Sequence, residues 1–67
     1  MAVAKIIELK SASSKSIEDA VQVGVAKCAE TVKNIRGAWV DGIKAKVGAD
    51  GKIVEWRVDL KVTFIVD

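Results

Sequence analysis

The chain has 67 residues, 51% of them hydrophobic, a net charge of +2, no histidine and one cysteine. This excludes an internal disulfide and a Cys/His metal site, and lysines scattered among acids argue against a nucleic-acid partner. One domain spanning 1–67 is expected, with oligomerisation supplementing a core too small to be robust alone.

No apolar stretch approaches the ~18 residues that a membrane span needs, so no membrane partner is expected. Met1 to Lys10 shows no charged region ahead of an apolar core, so no signal peptide is expected there. The unpaired Cys28 fits a reduced, cytoplasmic setting.

Val3 to Leu9, with Ile6 and Ile7, reads as a first strand. The serine-rich run from Ser11 to Ser16 interrupts it, and Ser13, Ser14 and Ser16 are each able to cap a helix. Glu18 and Asp19 then place negative charge at the positive end of the helix dipole. From Ile17 the apolar period becomes 3.6. Ile17, Val21, Gly24, Val25, Cys28, Val32 and Ile35 share one side, which predicts a helix from Ser16 to Asn34. Gly24 costs such a helix about 1 kcal/mol against alanine, and a strand passing close by would be a reason to keep it.

Arg36-Gly37 is read as the helix end. Ala38 to Val47 is a second strand, with Trp39, Ile43, Ala45 and Val47 on one face. Gly48-Ala49-Asp50-Gly51 has hairpin-turn composition. The last strand, Ile53 to Val66, is the strongest signal of all. Val54, Trp56, Val58, Leu60, Val62, Phe64 and Val66 alternate with Glu55, Arg57, Asp59, Lys61 and Thr63.

At 3.3 Å per residue that strand runs about 46 Å. A compact domain of this size is only ~28 Å across. The strand must bend, project or pair with another chain, so assembly is expected. The fold class is α+β, β-α-β-β: a three-stranded antiparallel sheet packed on one helix, with strand one beside strand three. The apolar row from Val54 to Phe64 is expected to meet the helix. The alternating-sign row on the other face is left for solvent or an interface.

Ser-Ser-Lys-Ser-Ile-Glu-Asp-Ala-Val at 13–21, Thr-Val-Lys-Asn-Ile-Arg at 31–36 and the run Asp50 to Phe64 together resemble the dodecins. The resemblance covers nearly the whole chain. It implies a hollow homododecamer built from trimers, which binds flavin (FMN, riboflavin or FAD) in pairs near two-fold axes and stores or buffers it. In that family a strand-two tryptophan stacks on the isoalloxazine ring and a strand-three polar residue bonds its edge. Aligned without a gap, Gly37 occupies the usual tryptophan position, Trp39 follows two residues later, and the polar position falls on Arg57.

The candidate cofactor-binding residues are therefore Trp39, Arg57, Asp41 and Gly37. Interface packing is the alternative role for Trp39, and a subunit salt bridge or solvated charge for Arg57 and Asp41. Trp56 and Cys28 read as core residues. No catalytic acid/base pair, activated nucleophile or phosphate loop is present, so no enzyme is expected. The alternative function is a dodecin-like hollow shell that does not bind flavin and serves a structural, interaction or cation-binding role.

Overall fold

The computed structural model describes residues 2–66; Met1 and Asp67, the ends of the expected domain, lie outside the described residues. The element order is β1 (Val3–Ser13), α1 (Ile17–Ala29), β2 (Ile35–Val47) and β3 (Ile53–Val66). The sheet order is β1-β3-β2 and both pairings are antiparallel. The expected β-α-β-β architecture, with β1 beside β3, is what forms.

Ser16 is the N-cap: its backbone is extended (φ −166°) and its Oγ accepts from the Asp19 N–H at 2.9 Å. Ser13 braces the same turn, its Oγ donating to Asp19 Oδ2 at 2.6 Å. Ala20 and Gly24 are buried, and Ile17, Val21, Val25 and Cys28 pack against the core. Gly24 is where the helix meets the sheet. A Cβ there would stand 2.9 Å from both Leu60 Cδ1 and Ser11 Cβ.

The helix stops five residues before the expected Asn34. Its last turn closes with N–H groups of Glu30, Thr31 and Val32 returning to the carbonyls of Lys27 and Cys28. Asn34 then turns the chain with φ of 63°, a left-handed conformation that asparagine tolerates better than most residues. Its carbonyl accepts from the Ile65 N–H at 3.0 Å, which seats the start of β2 on β3. β2 therefore begins at Ile35, not Ala38, and Ile35 reaches the core from a strand rather than a helix. β1 also runs past the expected Leu9 to Ser13.

The core centres on Ala20, Val58, Leu60 and Val62. A 13-residue helix is about 20 Å long, less than half the span of the 14-residue β3. The helix therefore cannot cover the whole apolar row. Val54 is 52% exposed, and Trp56 and Phe64 are half-buried without joining the core, contrary to the expectation that all would meet the helix. The β2–β3 hairpin overhangs, turning at Gly51 (φ 82°) with the Gly48 N–H on the Lys52 carbonyl at 2.8 Å. The molecule measures 53 × 19 × 13 Å.

The shared face expected for Trp39, Ile43, Ala45 and Val47 does not form, and Val47 pairs with Ile53 beyond a further irregularity after Lys46. Val40 pairs with Leu60 but Gly42 pairs with Asp59, so Asp41 is an extra residue in β2. Such a bulge shifts the alternation by one position. Trp39 lies opposite Lys61 on the helix-free face. Ile43 and Ala45 lie opposite Val58 and Trp56 on the helix side.

Candidate functional site on the helix-free sheet face

The face of the sheet away from α1 is built in rows of cross-strand neighbours. One row is Ile6, Thr63 and Gly37; the next is Glu8, Lys61 and Trp39; then come Lys10, Asp59 and Gly42, and Ala12, Arg57 and Lys44. Residues directly opposite one another are close enough to interact, so these rows decide which side chains meet.

Trp39 is 62% exposed. The Lys61 ammonium lies 5.0 Å from the centroid of its ring, a cation–π distance. The same ammonium stands 3.9 Å from Glu8 Oε1 and 3.8 Å from Asp41 Oδ2. The bulge places the Asp41 carboxylate beside the Trp39 row. Gly37 has no atom within 4 Å of where a Cβ would be, so the sheet beside the indole is open.

Further along, Lys10 Nζ donates to Asp59 Oδ1 at 2.8 Å. This pairing holds the Asp59 carboxyl below its usual range and raises the Lys10 amine. Gly42 leaves room for that carboxylate, because a Cβ there would stand 3.0 Å from Asp59 Oδ2. Arg57 Nε donates to Glu55 Oε1 at 2.6 Å, which lowers the Glu55 carboxyl in the same way. A depression of about 340 Å³ is lined by Glu8, Lys10, Asp41, Asp59 and Lys61 among others.

Three of the four candidate residues thus gather: Trp39, Gly37 and Asp41. Arg57 does not join them. It lies four positions from Lys61 along β3, about 13 Å away, and pairs with Glu55. Sequence reasoning placed Lys61 only within an alternating-sign row. Its link to Trp39 depends on the β2–β3 register, which the bulge sets and the periodicity does not reveal. Among the described residues no group of three or more Cys, Asp or Glu side chains could hold a metal ion. No helix among them is long and apolar enough to cross a membrane.

A small β-α-β-β protomer with its helix on one sheet face, and an exposed indole amid paired charges on the other, has the form of a binding and assembly subunit. A family model described as Dodecin matches residues 3–67, and the chain belongs to the dodecin family. Members of this family are non-enzymatic binding proteins, and membership implies a dodecameric homo-oligomer.

Solved structures agree. A variant of Thermus thermophilus dodecin is 28% identical, with 100% of this chain and 98% of that chain covered and a TM-score of 0.92. A calcium dodecin from Mycobacterium tuberculosis, a calcium-chelating antigen with its own calcium-binding site, is 32% identical over 97% of this chain and 91% of that one, at a TM-score of 0.82. A dodecin from Streptomyces coelicolor, 21% identical over 98% and 93% of the two chains, shares the fold at a TM-score of 0.92. Comparison with curated proteins finds no match.

Proposed function

We propose that the chain is a single-domain subunit of a cytoplasmic homododecamer that binds flavin by stacking the isoalloxazine ring on Trp39. It stores or buffers the cofactor rather than turning it over. The observation that carries this reading is the exposed indole on the helix-free face, with open sheet over Gly37 beside it. Glycine at the usual stacking position removes bulk, so a planar ring can approach the displaced indole from that side. Stacking of this kind contributes about 0.5–1.5 kcal/mol beyond the area buried. Asp41 is the nearest candidate to bond the ring edge. Arg57 serves the ligand from a second copy, since within one protomer it lies too far from Trp39.

The test is a fluorescence titration of riboflavin, FMN and FAD into protein first sized by light scattering. Quenching at micromolar concentration that is lost in Trp39→Ala, with particle size unchanged, supports the proposal. A full-size particle that quenches none of the three rejects it. That result would establish the second reading, a shell that does not bind flavin. One observation favours this alternative: glycine, not tryptophan, stands at position 37.

A further inference from the structure

Lys61 is not among the candidate cofactor-binding residues, yet its ammonium stands beside two of the three that gather, Trp39 and Asp41. It sits at the centre of the sheet, the middle member of the Glu8–Lys61–Trp39 row. Its side chain is 30% exposed, against 81% for Lys10 and 79% for Lys27 in their own ion pairs. The lysine is partly sheltered, and carboxylates stand on either flank of its ammonium at 3.9 and 3.8 Å. The ammonium so held lies over the indole at 5.0 Å.

We propose that Lys61 is the positioning residue of the site: clasped between Glu8 and Asp41, its ammonium occupies one face of Trp39 and leaves the other as the single stacking surface. The proposal rests on the stacking reading for its ligand arm but not for its structural arm. An indole has two equivalent faces and two soft side-chain torsions, so an exposed tryptophan without such a partner samples several poses. A cation on one face removes that freedom before any ligand arrives. It also sets stoichiometry, because each indole can then take one ring and cannot be sandwiched by two. The bulge has a role here. Asp41 is the extra residue of β2, and its carboxylate completes the clasp that Glu8 begins from β1.

The experiment uses the assembled protein carrying Trp56→Phe, which leaves Trp39 as its single indole. Lys61→Met keeps most of the apolar stem and removes the charge; Lys61→Arg keeps the cation. Near-ultraviolet circular dichroism of the ligand-free particle reads the ordering of Trp39. The expected result is loss of the indole band in Lys61→Met, its retention in Lys61→Arg, and flavin affinity about two- to five-fold weaker in Lys61→Met alone. A band unchanged in Lys61→Met overturns the proposal, whatever the flavin result. If Lys61→Met does not assemble, the double variant Glu8→Gln, Asp41→Asn opens the clasp while keeping the lysine. A weakened band then supports the proposal and an unchanged band overturns it. If the parent particle binds no flavin, the stacking reading falls and the dichroism still decides the role of Lys61.

Discussion

Gly24 shows how much a single position can settle. Its place mid-helix suggested a strand passing close by, and Ser11 and Leu60 stand where its Cβ would be. Gly24→Ala gains about 1 kcal/mol of helix propensity, but overpacking typically costs 1–3 kcal/mol. Ser11 Cβ is fixed to the β1 backbone and cannot swing aside as a side-chain tip can. The variant should be less stable than the parent, and urea denaturation with a higher midpoint would refute this. The Lys10–Asp59 pair makes a second residue-scale prediction. A depressed carboxyl contributes stability above its unfolded value that disappears as pH falls through its folded value; a raised amine contributes below its unfolded value and is lost as pH climbs through its folded one. The pair's contribution is therefore complete between the ordinary carboxylate and lysine values, and because Asp59 is lowered and Lys10 raised it is lost only beyond them. On acidification the denaturation midpoint of the parent should fall more steeply than that of Lys10→Met. Equal slopes would mean that water screens the pair completely. Gly24, with its local signal, was legible in the sequence, and the helix cap was narrowed to three serines of which Ser16 is the one used. Lys61 was not, because its importance comes from neighbours on two other strands.

Among the elements, β3 was legible at full length because the alternation of apolar and polar residues from Val54 to Phe64, flanked by further β-branched residues, permits no other reading. The end of α1 was misplaced because Val32 and Ile35 keep the helical period after the helix has stopped. Both are β-branched, and Asn34 between them reverses the chain, which periodicity does not register. Faces within β2 were misassigned beyond Asp41 for a related reason: counting by twos across an extra residue puts later side chains on the wrong side. Deleting Asp41 should make the pairing regular from Gly37 to Lys46 while leaving Trp39, Val40 and Ile43 on their present faces, whereas deleting Ala45 should reverse the flanking faces. We expect the first deletion to yield a soluble particle and the second an insoluble chain; sedimentation of both checks this. The core of β3 gives a simpler test. Leu60→Asp buries an unpaired carboxylate beneath the helix at a cost of several kcal/mol, and soluble assembly should be lost. Trp56 stands outside that core, so truncating it should not carry the full cost of a buried tryptophan.

For the whole molecule, the mismatch between a long strand and a short helix dominates. A compact 67-residue domain has a radius of gyration near 11 Å, whereas this protomer has 13.8 Å. It exposes 4946 Å², where a folded monomer of 7.2 kDa is expected to expose about 4100 Å². The overhang signalled assembly from the sequence alone, because strand length and domain size follow from simple counting. Which surfaces meet was not legible, because that depends on both sheet faces and on the bulge. The thermodynamic consequence is that dilution should act on this protein as a denaturant. A lone subunit has so little interior that its folding must draw on contacts with its neighbours, so dissociation and unfolding should coincide. Melting temperature should then rise with protein concentration by mass action, and particle mass and helical signal should vanish together on heating. A melting temperature independent of concentration, with folded 7.2 kDa monomers persisting at nanomolar levels, would show that the protomer is self-sufficient.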